Sequence, residues 1–303
     1  MSGFFKGLSG GEDMGFRNVE LWMVLPAICV LVFISVYPFV FTIRLSFMDY
    51  PMIVTRNPIF TGFKNWIRMF SDVKTRQYWM VTLKYAVGAL SLEMVLGFIV
   101  ALLLSKLRFL QDLFTALMTV PLFFAPVLVG LLGRFLFHES YGIYTYFLRQ
   151  VGLLRGVPSI FGYGPAAFFA LICLDVWEWT PLVVIILLAG LKSLPQEIFE
   201  AAQVDGITTL QEVWYLTLPL LKRVILVALL VRTMDVIKYF DHILVTTRGG
   251  PADATKTISV AVYDQAFQAY QMGYAATLTV SALVVTMVLA QLFVRFVTGR
   301  SME

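Results

Sequence analysis

Glu93, Asp175, Glu178 and the series Arg232, Asp235, Lys238 all fall inside strongly apolar stretches of the chain. A charge in such a place is costly unless it faces protein or a water-filled path. Each is therefore expected to face protein or a water-filled path, and Glu93 and Asp175 are the two that could titrate. The alternating signs of Arg232, Asp235 and Lys238 at three-residue spacing permit mutual neutralisation down one side of a helix, so a structural ion series is expected there. Glu93 is expected to pair with another helix, and Lys84 to snorkel toward an interface.

Asp175, Trp177, Glu178 and Trp179 form a second cluster. Aromatic faces suit apolar C–H surfaces and planar polar groups suit hydroxyls, which is the chemistry of a sugar-like solute. Helical residues turn about 100° each, so Asp175 and Trp179 share a face while Trp177 and Glu178 are displaced from it. All four cannot line one path, and a buried Glu178 needs a partner or water.

Catalysis has no foothold. The two histidines, His138 and His242, have no ligand-spaced partner, so neither a metal site nor a nucleophile–base pair is expected. No glycine-rich phosphate loop ending in Gly-Lys-Ser or Gly-Lys-Thr occurs, so any ATP must be hydrolysed elsewhere.

The elements that must position these residues are membrane helices. The 303 residues are 59% hydrophobic and 14% charged, with a mean hydropathy of +0.81, too apolar to coat a water-soluble globule. The net charge of +4 is scattered rather than gathered in a run, which excludes nucleic acid as a partner. Cys29 and Cys173 lie in apolar runs and behave as small hydrophobes. The first apolar run is too long for a cleaved signal sequence, so the first helix is expected to be retained.

Crossing ~30 Å of hydrocarbon takes about 20 helical residues. That ruler places six spans in one domain, at 21–43, 80–104, 110–135, 166–191, 224–243 and 272–297, with a large loop at 192–223. Prolines 26, 38, 121, 126 and 181 mark kinked helices. Both termini then share a side with the loops at 105–109 and 192–223. That side holds nine basic residues: Lys6, Arg17, Lys106, Arg108, Lys192, Lys222, Arg223, Arg295 and Arg300. The other holds eleven: Arg44, Arg56, Lys64, Arg68, Lys74, Arg76, Arg134, Arg149, Arg155, Arg248 and Lys256. The positive-inside rule does not fix orientation on these numbers.

The 192–223 loop carries the strongest pattern. Pro195 suits the first turn of a helix that Gly206 closes through a left-handed exit. Thr208 with Gln211 has the arrangement of a capping box for a second short helix, which Pro219 is expected to break before the fifth span. The product is a helix-turn-helix with Ala201 and Ala202 on a close-approach surface, shaped to dock in a groove.

Glu200-Ala201-Ala202, three residues, Gly206, nine residues and Leu216-x-Leu218-Pro219 resemble the EAA loop of bacterial ABC-importer permeases, with Leu216 where isoleucine is usual. Phe240-Asp241-His242-Ile243 through Gly249-Gly250-Pro251 resembles the pattern FDxIxVxTxGGP of sugar permeases. Trp177-x-Trp179-Thr180-Pro181, Leu188-Ala189-Gly190-Leu191 and Met272-Gly273-Tyr274-Ala275-Ala276 also look like the maltose and glycerol-phosphate branch. The close matches cover 175–297.

The resemblance implies an all-α type I ABC-importer permease fold with six transmembrane helices and a cytoplasmic coupling helix. Glu200, Ala201, Ala202, Asp205 and Gly206 would engage a separate ATPase that holds ATP and Mg. Gly249, Gly250 and Pro251 would form a tight turn facing an extracytoplasmic solute-binding protein. Asp175, Trp177, Glu178, Trp179 and Asp241 would border the substrate path, with capping or ordering of the outer gate as the other role open to Asp241. The implied assembly adds a second permease and two ATPase copies in a bacterial or archaeal plasma membrane, with both termini cytoplasmic. An ion-coupled carrier of small polar solutes is the alternative.

Overall fold

The computed structural model describes residues 12–53, 57–107, 109–154, 156–157 and 159–298. Lys6, Arg56, Arg108, Arg155 and Arg300 of the charge count, with the rest of residues 1–11 at the N-terminus, lie outside the described residues.

Long apolar helices dominate. Helix α1 (Glu12–Ser46) contains Pro26 and Pro38 and leads through a two-residue hairpin, β1 (Met48–Asp49) and β2 (Ile59–Phe60), to the short α2 (Lys64–Ser71). Asp72 caps the next span, α3 (Val73–Ser105), by accepting from the Lys74 N–H. Then come α4 (Gln111–Thr119), a 3₁₀ turn over Val120–Phe123, α5 (Pro126–Leu136) and α6 (Ile143–Gln150). The second half comprises α7 (Gly164–Lys192), α8 (Gln196–Val204), α9 (Thr209–Gln211), a π-helical stretch over Glu212–Thr217, and α10 (Leu218–Lys238). The chain ends with α11 (Asp241–Thr246), α12 (Ile258–Tyr263), a π-helical stretch over Asp264–Gln268, and α13 (Met272–Thr298).

Among the described residues, five stretches are long and apolar enough to cross a membrane unaided: Trp22–Ser46, Val73–Ser105, Gly164–Lys192, Thr209–Thr246 and Met272–Phe296. The expected third span is not one helix. Gln111–Phe123 and Pro126–Leu136 meet at 92°, so six crossings result only if this bent pair counts as one. Phe124 and Ala125 are both extended, as the residue before a proline tends to be, and Pro126 then opens α5.

The fifth span also differs from expectation. Pro219 does not break the helix, because the π-helical turn ahead of it widens the register where the ring would otherwise press on the preceding turn. The interruption comes later, at Tyr239–Phe240, between α10 and α11.

The core is the seam between α3 and α7. Tyr85, Ala86 and Ala89 pack on Leu171, Ile172 and Val176, and lower down Ala101 and Leu104 meet Val183 and Leu187. Gly97 lets the helices close, since a Cβ there would lie 2.6 Å from the Val183 side chain. By contrast, Trp22, Phe33 and their neighbours on α1 are exposed, and only its C-terminal turn joins the core, through Leu45 beside Ala276.

The two ends are distinct. Asn65 of α2 donates to the carbonyls of Ser46 (3.3 Å) and Met48 (2.8 Å), the Thr75 and Tyr274 hydroxyls meet at 2.8 Å, and Tyr78 donates to Asp253 at 3.3 Å. These contacts gather the α1–α3 corner, the 247–257 loop and the start of α13 at one end. The α8–α9 loop lies at the other, between the end of α7 and the start of α10.

Candidate functional site

At mid-depth the three central helices are tied by charge. Arg232 of α10 forks onto Glu93 of α3, with Nε to Oε2 and Nη2 to Oε1 both at 2.7 Å, and Nη2 also reaches Asp175 Oδ2 of α7 at 3.4 Å. All three side chains have 0% exposure, so the cluster is screened by protein alone. The Arg232 guanidinium also lies 4.8 Å from the Trp179 ring centroid.

A second layer follows at the α10–α11 break. Tyr239 donates to Glu178, Trp179 Nε1 donates to the Tyr239 hydroxyl at 3.4 Å, and the Tyr85 hydroxyl and His242 Nε2 lie 2.7 Å apart. Gly130 of α5 admits His242, since a Cβ there would sit 2.8 Å from the His242 Cα. Among the described residues, Asp175 Oδ1, Arg232 Nη1 and His242 Nδ1 are buried without a hydrogen-bond partner.

The coupling-loop residues form a hook. Pro195 stands as N-cap of α8, and Gly206 takes φ +74 with nothing within 4 Å of a would-be Cβ, an exit only glycine makes without strain. Thr208 and Gln211 form the full capping box of α9. Glu200, Ala201 and Asp205 are exposed and Ala202 is half-buried. Beyond them Val204 (89%), Leu210 (68%), Trp214 (63%) and Tyr215 (75%) present an apolar face to the outside. A hook that ends in uncovered apolar side chains has the character of an interaction surface.

At the opposite end Gly249 is buried and Gly250 and Pro251 are half-buried. Gly249 takes φ +85, and the Gly250–Pro251 peptide is cis. Thr255 donates its hydroxyl to the Gly250 carbonyl at 2.8 Å, and Lys256 bridges Asp253 (3.2 Å) and Asp264 (2.6 Å). Burial pulls the Lys256 ammonium down, but the carboxylates of Asp264 and Asp253 outweigh it and hold it above the ordinary lysine range. The turn is an internally braced plug, and its outward surface is carried by Arg248 and Ala252 rather than by the glycines.

A groove-seeking hook at one end and a braced turn at the other match a known design. Residues 93–300 fit the model of the binding-protein-dependent transport system inner membrane component family. The chain belongs to that family. A trehalose/maltose transport system permease protein of Thermococcus litoralis is 32% identical over 295 residues, covering 95% of this chain and 97% of that one. A probable ABC transporter permease protein of Sinorhizobium fredii is 34% identical over 278 residues, covering 90% and 87%. A bacterial ABC transporter that imports the acidic polysaccharide alginate has the same fold, with a TM-score of 0.80 at 19% identity over 96% of this chain and 98% of its own. The type I importer permease fold is thereby established.

Within this permease the predicted substrate-path residues part company. Trp177 is 46% exposed on the outer face of α7, beside Phe124 at the bend of the third span with ring centroids 5.9 Å apart. Asp175 and Glu178 lie wholly inside the helix packing. The expectation that Glu178 is displaced from the Asp175–Trp179 face is corrected: at about 100° per residue the three positions fall within one arc of about 100°, in which Asp175 and Glu178 are buried and Trp179 is half-buried. Asp241 begins α11, half-buried and next to the Tyr239–His242 pair.

The proposed Arg232–Asp235–Lys238 series is likewise only half real. Lys238 and Asp235 pair at 3.7 Å on an exposed face, while Arg232 turns inward. Each three-residue step falls about 60° short of a full turn, so Lys238 stands about 120° around from Arg232. Glu93 pairs with another helix as expected, and Lys84 is exposed. Tyr85, Tyr239 and His242 were not singled out as partners. The available signal was that buried carboxylates at 93, 175 and 178 demand donors.

Proposed function

We propose that this chain forms half of the translocation path of an ATP-driven importer for a sugar or related polyol, and that it couples to a separate ATPase through Glu200, Ala201, Ala202, Asp205 and Gly206. The observation that carries this reading is the exposed hook, joined through an unbroken α9–α10 helix to the buried ion cluster. The names of the relatives support the solute class, since they include trehalose/maltose and sulfoquinovosyl glycerol permeases.

ATP and Mg are held by the ATPase partner and not by this chain. The full assembly adds a second, similar permease, two ATPase copies and an extracytoplasmic solute receptor that meets the Gly249–Pro251 end. The hook faces the cytoplasm, and both termini lie on its side. Irregular backbone at membrane depth is tolerated where it is buried or lines a cavity, so the Phe124–Ala125 bend with Trp177 beside it is the best candidate for the path wall. Asp175, Glu178 and Trp179 act by holding that wall, and Asp241 by ordering the outer break. An ion-coupled carrier is the weaker reading, because Glu93 and Asp175 are committed to Arg232.

Gly206→Val tests the coupling role. A β-branched side chain at φ +74 strains the exit while leaving every span intact. The expected result is normal membrane insertion with loss of ATPase binding or of receptor-stimulated ATP hydrolysis. Normal solute uptake by this variant refutes the assignment.

A further inference from the structure

Helix α2 has three faces where a helix packed on a protein surface needs two. At about 100° per residue, Asn65, Trp66 and Met69 fall in one sector, which is packed against β1, α3 and α13. Lys64, Arg68 and Ser71 fall in a second, exposed and polar. Phe63, Ile67 and Phe70 fill the third, and they are 66%, 66% and 75% exposed. The hairpin before α2 adds Ile59 (58%) and Phe60 (72%).

What covers this third sector follows from where it lies. The helix joins two spans and only Asp72 separates it from α3, so its axis is held at the level where those spans leave the hydrocarbon. The α3 helix that follows Asp72 adds further exposed apolar side chains, Val73 (67%) and Met80 (54%). Beside it lies a polar hollow of about 350 Å³ lined by Arg68, Ser71, Lys74, Thr75 and Tyr274. The Arg68 guanidinium is held there 4.0 Å from the centroid of the Tyr274 ring. The acid in the hollow, Asp72, already accepts from the Lys74 N–H (3.1 Å) and the Thr75 hydroxyl (2.9 Å).

From this we infer that α2 is an in-plane helix of the membrane leaflet opposite the coupling hook: Phe63, Ile67 and Phe70 sit among acyl chains, and Arg68 and Lys74 hold the phosphate of an anionic phospholipid. An amphipathic helix with a basic polar face and an apolar face is the form that lies in the interface plane. The near-even charge count, which does not fix orientation by the positive-inside rule, gains part of a physical reason: Arg68 and Lys74 stand at this corner as headgroup ligands rather than as topology signals, while Lys64 pairs with Asp49 at 3.4 Å. Calling that leaflet the outer one rests on the orientation proposed above; the lipid contact itself does not.

The test uses the full chain in vesicles of phosphatidylcholine and phosphatidylglycerol, with Cys29→Ser and Cys173→Ala making single-cysteine labelling possible. A fluorophore on Phe70→Cys is expected to be quenched by brominated lipid and shielded from aqueous iodide, with the reverse at Ser71→Cys. Iodide access at Phe70→Cys overturns the proposal. So does shielding that arises only when the solute receptor or a second permease is added, which assigns the face to protein. In the second arm, native mass spectrometry from the mixed lipid is expected to show phosphatidylglycerol enrichment falling at least about threefold in the Arg68→Gln/Lys74→Gln variant. Unchanged enrichment overturns the headgroup site. Neither readout depends on transport, so failure here leaves the importer assignment standing, and loss of coupling in Gly206→Val leaves this one standing.

Discussion

Replacing Arg232 by methionine puts the ion cluster under the most direct stress. Methionine keeps the length and packing of the stem but removes the one cation that faces Glu93 and Asp175. Both carboxylates have 0% exposure, so no water is in reach to replace the two 2.7 Å bonds on Glu93. Removing one member of a buried pair costs about 3–5 kcal/mol, chiefly because the remaining charge is left uncompensated. At about 1.4 kcal/mol per factor of ten, that is a shift of about two to three and a half decades in the folding equilibrium.

The exposed Asp235–Lys238 pair on the same helix is the internal control. It is exposed on both sides and lies just before the Tyr239–Phe240 break rather than enclosed among helices, and exposed pairs that water reaches contribute about 0–1 kcal/mol. Denaturation of the purified chain in mixed micelles, followed by tryptophan fluorescence, is expected to show a large loss for Arg232→Met and little change for Asp235→Asn. A triple variant with Glu93→Leu, Asp175→Asn and Arg232→Met removes every charge of the cluster and is expected to recover most of the loss, since buried ion groups exchanged for neutral ones of similar volume are often tolerated. If Arg232→Met costs no more than Asp235→Asn, or if the triple variant is worse than the single one, electrostatic cross-linking is not what joins these helices.

Three further outcomes are expected. Trp177→Ala removes an exposed aromatic face and should reduce solute uptake while receptor-stimulated ATP hydrolysis persists; equal loss of both measures points instead to a folding role. Thr208→Ala removes the capping box of α9 at a cost of about 0.5–2 kcal/mol, read as faster hydrogen exchange over 208–212 with α10 unchanged. Lys256 has a folded pKa raised above its unfolded one, so its contribution is complete below about pH 10.4 and lost as pH rises through the folded value. Hydrogen exchange over 249–257, corrected for its intrinsic pH dependence, should therefore be flat from about pH 6 to 9 and rise only in strong alkali, and Lys256→Met should show the fast rate throughout.

Local signals in the sequence carried most of the architecture. Apolar runs marked where the long helices lie, because lipid forces continuous helices of set length, although Val73–Ser105 starts seven residues before the expected second span and Thr209–Thr246 fifteen before the fifth. The coupling hook was legible in detail, since Pro195, Gly206 and the Thr208–Gln211 box act over four residues or fewer. Pro121 and Pro126 announced a disturbance in the third span, but the size of a bend depends on which neighbours receive the freed ends, and 92° is written nowhere locally. The partners of the intramembrane charges were illegible for the same reason. Arg232 lies 139 positions from Glu93 and 57 from Asp175, and helical spacing alone favoured the nearer Asp235.

Those long-range partners give the helical core its mechanical character under the importer reading. Residues 93, 175 and 232 bind α3, α7 and α10 at one depth, and the glycine-mediated closeness of α3 to α7 leaves no slack beside them. Close-packed helices of this kind are rearranged as bodies rather than stretched. A push on the hook at Gly206 enters α10 directly, because no turn separates α9 from α10, and the ion cluster passes it to α3 and α7. The places left to yield are those where the backbone ladder is interrupted: Tyr239–Phe240 on one side and Phe124–Ala125 on the other. Trp177 borders the second of these, and Tyr239 at the first is bonded to Glu178, the next residue of α7. The side chain best placed to meet solute and the helix break most free to move therefore meet on adjacent residues of one helix, which is where a coupling stroke has to arrive.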